Sequence, residues 1–257
     1  MKSESQDVGD FFNSIAENYR EKYTHKDVFR NYFFNERLVE ATRGFDFESK
    51  NVLDIGAGTG NLYDRLMEID PSVNYFALDI AAEMLQKSLI PADRQFIGEF
   101  GKTKLPLETY DYIFLLGVTT YMDAEKLSGL FDLIFKSLSP GGQVIITFTN
   151  KNSLDWKLRR IFKMLPKRFL PQTFVLTQAF TIYPRTLGQI NNAIKNSYDI
   201  KDIRWLNHTI FPFNQIFKSL SAKFAKNFHK RTMKSNDSIT EKLSSDFLIV
   251  LGKKDNI

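Results

Sequence analysis

The segment Val52-Leu53-Asp54-Ile55-Gly56-Ala57-Gly58-Thr59-Gly60 constrains this chain more than any other. A short apolar run is the pattern of a buried strand, and the glycines end it in a tight turn. Gly56 lets the chain turn straight off the strand, Gly58 lets the backbone approach a bound molecule, and Gly60 lets the next helix pack close to the sheet. Asn61 to Ile69 reads as that helix. A second strand, Val73 to Leu78, then delivers Asp79 about twenty residues beyond the turn, where a carboxylate can accept both hydroxyls of a ribose.

The remaining pattern repeats this alternation. A helix from Ala81 to about Ser88 precedes short strands at Gln95–Ile97 and Tyr110–Gly117. Asp123 caps a helix running through Leu138, with Leu127, Leu130, Phe131 and Ile134 on its buried face. Pro140-Gly141-Gly142 stops it, and Val144–Phe148, Ile200–Trp205 and Phe247–Leu251 complete the strands. Two helices come first, one carrying Phe11, Phe12, Ile15, Tyr19 and Tyr23, the other Phe29, Tyr32, Phe33, Leu38 and Val39. The expected class is α/β: a Rossmann-like, seven-stranded, mostly parallel sheet with helices on both faces. One domain is expected over 1–257, with N-terminal cap helices at 1–50, a cofactor-binding half at 51–150 and an acceptor-side half at 151–257.

A dinucleotide site fits less well. Its fingerprint is G-x-G-x-x-G with a helix N-terminus aimed at a pyrophosphate. Here Gly56, Gly58 and Gly60 are evenly spaced, and Asp54 stands two residues before the first. That carboxylate would repel a pyrophosphate and suits the amino group of a methionine moiety.

The stretch resembles motif I of the class I S-adenosylmethionine-dependent methyltransferases, and the likeness continues along residues 8–149. Phe11-Phe12-Asn13-Ser14-Ile15-Ala16 with Tyr19 and Tyr23 resembles the N-terminal cap helix of the ubiquinone/menaquinone-biosynthesis type and its small-molecule relatives. Leu78-Asp79-Ile80, Phe96-Ile97-Gly98-Glu99-Phe100, Tyr110 through Gly117 and Leu138-Ser139-Pro140-Gly141-Gly142 resemble the later motifs in order. The resemblance implies S-adenosyl-L-methionine as cofactor. It places Asp54, Gly56, Gly58 and Gly60 at the methionine and ribose end, Asp79 on the ribose and Ile80 on the adenine. Glu99 and Phe100 would read the adenine edge, Leu116 would offer its backbone, and Tyr19 would cover the cofactor. The sequence departs from the family in having Glu99 where an Asp is usual, and in a longer gap to Leu105-Pro106.

Methyl transfer from a sulfonium needs a positioned acceptor and little else, with a base when the acceptor is a hydroxyl. The chain has 0 cysteines, which excludes thiolate nucleophiles and thiolate metal sites. Leu115-Leu116-Gly117-Val118 stands where amino-methylating nucleic-acid enzymes carry Asn/Asp-Pro-Pro-aromatic. His25, His208, Tyr121 and Asp123 are base candidates, each with a plain structural alternative, Asp123 as a helix cap. No catalytic residue and no metal site is assigned.

Charge divides the chain. Residues 1–150 carry 15 Lys+Arg and 23 Asp+Glu, a net of −8, whereas 151–257 carry 20 and 7, a net of +13. Leu154, Leu158, Ile161, Phe162 and Leu165 form one amphipathic stripe among basic residues. Phe213, Phe217, Leu220, Phe224 and Phe228, interleaved with Lys218, Lys223, Lys226, Lys230 and Arg231, form another. These helices either pack on the core or meet an anionic membrane. The expected enzyme transfers a methyl group to oxygen or carbon of a small-molecule or lipid- or glycan-linked acceptor. The alternatives are an RNA methyltransferase that holds phosphates on its basic half, nucleic acid being the less favoured partner, and a non-catalytic cofactor-binding protein. The polar N-terminus and the lack of any apolar run near membrane-spanning length point to a cytoplasmic protein, peripheral at the membrane if the basic helices meet lipid.

Overall fold

The computed structural model describes residues 4–19, 28–164, 181–194, 197–232 and 238–254. Helices α1 (Glu4–Tyr19) and α2 (Val28–Thr42) precede the alternating unit β1 (Asn51–Ile55), α3 (Asn61–Ile69), β2 (Asn74–Asp79), α4 (Ala82–Gln86), β3 (Gln95–Ile97) and β4 (Tyr110–Leu115). Next come α5 (Ala124–Ser137), β5 (Leu138–Thr149), α6 (Leu154–Lys163), α7 (Leu187–Ile194) and β6 (Tyr198–Leu206). The chain continues through α8 (Phe213–Ile216), α9 (Lys218–Thr232) and α10 (Ser238–Leu243) to β7 (Asp246–Lys253).

The strands form a 7-stranded sheet in the order β3-β2-β1-β4-β5-β7-β6. β1 to β5 pair in parallel, and β7 runs antiparallel to both β5 and β6. The expected mostly parallel Rossmann-like sheet is therefore present. Alternate residues feed two cores. Leu53, Ile113, Leu115 and Ile146 pack against Leu127, Leu130, Phe131 and Ile134 of α5 and against α7. Val52, Ala77, Phe114, Ile145 and Leu248 pack against Leu62 and Leu66 of α3. The Asp123 side chain accepts a hydrogen bond from the Lys126 N–H at 2.8 Å and caps α5, as its position implies.

Two local expectations fail. Pro140-Gly141-Gly142 does not separate α5 from β5, because β5 begins at Leu138. Tyr110 pairs with Leu138 and Tyr112 with Gln143, so the proline and glycines are absorbed as an irregularity in the ladder. Proline lacks the N–H a regular ladder needs and is tolerated at such a bulge. The second basic segment is not one helix, since it breaks at Phe217 between α8 and α9.

α9 packs on α2 by small residues: Ala222 and Ala225 are buried against Tyr32. Of the phenylalanine stripe, Phe228 packs edge-on against His208 at 5.0 Å, and the residues before it face outward. Phe213, Phe217, Leu220 and Phe224 are exposed at 59, 53, 67 and 53%. On α6 the buried residue is Asp155, whose carboxylate accepts from the Phe211 N–H at 2.7 Å, whereas Ile161 is exposed. Leu165 lies outside the described residues.

Candidate active site

The carboxyl ends of β1, β2, β4 and β5 open into a cavity of about 740 Å³, bounded on its other side by α1 and α2. Its floor is the glycine turn. Gly56 has φ +77°, and a Cβ there would fall 2.2 Å from Cγ2 of Val118, so only glycine fits. Gly58, at φ +55°, donates its N–H to Asp79 Oδ2 at 2.7 Å. Ala81 donates to the other oxygen, Oδ1, at 2.8 Å. Asp79 thus ties the turn after β1 to the turn after β2 while lining the cavity. Burial raises its pKa, and the N–H groups of Ala81, Gly58 and Ile80 oppose that rise.

Asp54 is buried and accepts a hydrogen bond from the Tyr75 hydroxyl at 2.5 Å. Burial, opposed by that bond and reinforced by the Asp79 charge, pushes its pKa up to about 7. A cationic amine in the cavity would reverse this balance and hold the carboxylate ionised. Two buried acids and an open backbone at Gly58, where a Cβ would meet only the Met84 methyl at 3.6 Å, suit the methionine and ribose ends of S-adenosylmethionine.

α1 covers the cavity. Phe12 and Tyr19 pack with Ala16, Ala81 and Met84, and Phe12 meets Tyr121 edge-on at 5.7 Å. α2 contributes Phe33, Phe34, Leu38 and a cation, Arg37. The Arg37 guanidinium lies 5.2 and 5.6 Å from the ring centres of Phe33 and Phe34. It pairs with Asp246 at 3.4 Å, and its buried Nε has no hydrogen-bond partner. Asp246 Oδ2 also accepts from Asn207 Nδ2 at 2.6 Å.

Asp54, Gly56, Gly58, Asp79, Ile80, Leu116 and Tyr19, all named from sequence, line this cavity. Gly60, Glu99 and Phe100 do not. A Cβ on Gly60 would meet Ser88 at 2.9 Å and Ile90 at 3.2 Å, so this glycine makes room for packing, away from the ligand space. Residues 98–103 close a turn of their own, with Lys102 and Thr103 N–H groups bonded to the Glu99 carbonyl. Glu99 therefore pairs with Lys102, and Phe100 packs on the hydrophobic core. Among the base candidates, burial pushes Tyr121 up to about 12, so its phenol stays protonated near neutrality. Asp123 is spent as the α5 cap. His208 is buried away from the cavity lining, and burial and then the neighbouring His229 push its pKa down to about 3. Tyr23 and His25 lie outside the described residues.

Two groups were not singled out from sequence. Arg37 and Asp246 meet across 209 residues, and the signal for Arg37 was a lone cation among Phe33, Phe34 and Leu38. Glu36, His208 and His229 converge where α2, the loop after β6 and α9 meet, which no local spacing announces.

A family model described as a methyltransferase domain matches residues 24–209. The chain belongs to the methyltransferase domain family. Its fold is that of solved methyltransferases, one of them with bound SAH. It is 27% identical over 184 residues to malonyl-[acyl-carrier protein] O-methyltransferase 2 of Ilyobacter polytropus, a match covering 68% of this chain and 66% of that protein. It is 26% identical over 117 residues to the human tRNA N(3)-cytidine methyltransferase METTL6, covering 42% of this chain and 41% of that one. The chain thus spans just under two thirds of the first relative and under half of the second. Among solved structures it resembles magnesium protoporphyrin IX methyltransferase from Synechocystis PCC 6803 with bound SAH (TM-score 0.62, 13% identity, covering 98% of this chain and 100% of that one). It also resembles the putative methyltransferase complexed with the Trm112 activator of Haloferax volcanii (TM-score 0.60, 15% identity, covering 95% and 98%).

Proposed function

We propose that this enzyme methylates a carboxylate oxygen of an amphipathic acid, forming a methyl ester. The observation that carries the reading is Arg37, a cavity-wall guanidinium with an unpartnered buried Nε. A guanidinium fork is the usual protein partner for a carboxylate. A carboxylate also needs no base, and the acids in this cavity are already engaged: Asp54 by Tyr75, Asp79 by Gly58 and Ala81, Asp246 by Arg37 and Asn207. Among the described residues no histidine lines the cavity. The malonyl-[acyl-carrier protein] O-methyltransferase relative supports transfer to oxygen.

S-adenosylmethionine supplies a methyl group already activated on a sulfonium. In this reading Asp54 would hold its ammonium, Asp79 its ribose, Ile80 would pack on the adenine, and Leu116 would offer its backbone. Phe12, Tyr19 and Tyr121 exclude water, and Arg37 orients the acceptor carboxylate.

The exposed stripe on α8 and α9 supports delivery from an anionic membrane surface. Phe213, Phe217, Leu220 and Phe224 are exposed, and Lys218, Lys223, Lys226 and Lys230 stand among them. Apolar side chains would enter the interface and lysines would meet headgroups. No helix among the described residues is long and apolar enough to cross a membrane. The protein would then be a cytoplasmic enzyme that visits the membrane surface.

The test is transfer of labelled methyl from S-adenosylmethionine to acyl dicarboxylates and fatty acids. The expected product is a base-labile ester that releases labelled methanol on alkaline hydrolysis. Label that enters a base-stable product, or tRNA, would replace this reading.

A further inference from the structure

A cluster outside the cavity brings two imidazoles and a carboxylate together. His208 Nδ1 lies 3.0 Å from Ser244 Oγ, and Ser244 donates its own proton to the Thr240 carbonyl at 2.6 Å. Ser244 Oγ therefore accepts from His208, which puts the His208 proton on Nδ1 and leaves a lone pair on Nε2. That Nε2 faces His229 Nδ1 at 3.3 Å. The opposite nitrogen of His229, Nε2, lies 3.2 Å from Glu40 Oε1 and serves as a donor to it. Arg43 holds the other oxygen of Glu40, Oε2, at 2.8 Å. The Glu36 carboxylate is fixed by the Asn207 N–H, which donates to its Oε2 at 3.2 Å. Its Oε1 is buried, 3.0 Å from His229 Nδ1, with no well-aligned hydrogen bond.

Glu36, His208 and His229 each offer one ligand atom, and the three atoms lie within 4.8 Å of one another. Tetrahedral zinc has arms of about 2.0–2.2 Å to nitrogen and oxygen, which sets neighbouring ligand atoms roughly 3.3–3.6 Å apart. The separations of 3.3 and 3.0 Å to His229 Nδ1 are close to that edge. Each imidazole also has its far nitrogen bonded to an oxygen, His208 to Ser244 and His229 to Glu40, the outer-shell arrangement that orients metal-binding histidines.

We propose that Glu36, His208 and His229 form a binding site for a zinc-class divalent cation, with water as the fourth ligand. Two nitrogens and one carboxylate are a borderline donor set that suits zinc over magnesium or calcium. None of the three residues lines the cavity, so the ion is a structural clip. It joins α2, the loop after β6 and α9, and so anchors the helix that carries Arg37. The proposal is independent of which acceptor the enzyme methylates.

The test uses the full chain stripped with a chelator and then titrated with zinc by calorimetry, beside Glu36→Gln and a His208→Gln, His229→Gln double variant. The expected result is one tight equivalent, weakened at least tenfold in Glu36→Gln and abolished in the double variant, with both still binding S-adenosylhomocysteine. Zinc is also expected to raise the thermal midpoint of the wild type and not that of the double variant. Should the double variant fail to fold, cobalt(II) added to the wild type decides. An intense visible spectrum of a four-coordinate site supports the proposal, and its absence overturns it. Equal zinc binding by wild type and Glu36→Gln also overturns it.

Discussion

The Gly58 N–H donates to Asp79 Oδ2 at 2.7 Å, so an acid that lines the cavity also holds the glycine turn in place. In the proposed role for Asp79, one side chain would couple cofactor affinity to the local stability of two loops.

Asp79→Ala removes the acceptor for the Gly58 and Ala81 N–H groups. A buried donor left without a partner costs about 1–3 kcal/mol. With two such donors the variant is expected to lose about 2–6 kcal/mol in urea unfolding and to bind S-adenosylhomocysteine at least tenfold more weakly. Asp79→Asn, which keeps one acceptor oxygen, should recover more of the stability than of the affinity.

Asp54 makes cofactor binding pH-dependent. Its pKa in the folded protein is raised to about 7 from an ordinary 3.8. Without ligand it stabilises the fold below its ordinary pKa and loses that contribution as pH rises towards 7. An ammonium group binds only the ionised form, so affinity should run the other way and fall as pH drops through about 7. Calorimetry one pH unit to either side of that value measures this. Tyr75→Phe, which removes the hydrogen bond that favours the carboxylate, should move the curve to higher pH.

Arg37→Met leaves Asp246 without its cation. Removing one partner of a buried pair costs roughly 3–5 kcal/mol, and this pair is largely shielded, at 14 and 9% exposure. Adding Asp246→Asn should restore most of the stability without restoring acceptor turnover. The readout is a raised KM for the acid, with S-adenosylhomocysteine affinity close to wild type.

Phe217→Ser with Phe224→Ser changes two side chains that are each 53% exposed, so circular dichroism and the thermal midpoint should stay near wild type. In vesicle flotation the variant should lose most of its binding to anionic bilayers. Binding that is unchanged in the variant would remove these phenylalanines from any membrane contact.

Local spacing carried the part of the fold that binds the cofactor. The strand, turn, helix and acid from Val52 to Asp79 are contiguous, and their periodicities and glycines are read within a few residues of one another. The face of α5 was legible for the same reason, since Leu127, Leu130, Phe131 and Ile134 repeat at helical spacing. Less was legible where tertiary contacts decide. Gly60 is set against Ser88 and Ile90, in keeping with its packing role, and Glu99 turns back on Lys102, both outside the cavity lining. The phenylalanine stripe had the period of a packing face, yet Ala222 and Ala225 are small enough to let α9 approach α2, which turns Leu220 and Phe224 outward and leaves Phe228 packed on His208. Arg37–Asp246 and Glu36–His208–His229 each join residues more than a hundred positions apart, beyond the reach of any periodicity.

The most direct test of the cofactor cavity is calorimetry of the wild-type chain with S-adenosylhomocysteine and, separately, with NAD. One equivalent of S-adenosylhomocysteine is predicted to bind, with at least tenfold weakening in Asp54→Asn, and NAD is predicted not to bind. Binding of NAD without binding of S-adenosylhomocysteine would contradict the assignment of Asp54 and Asp79 to a methionine and a ribose.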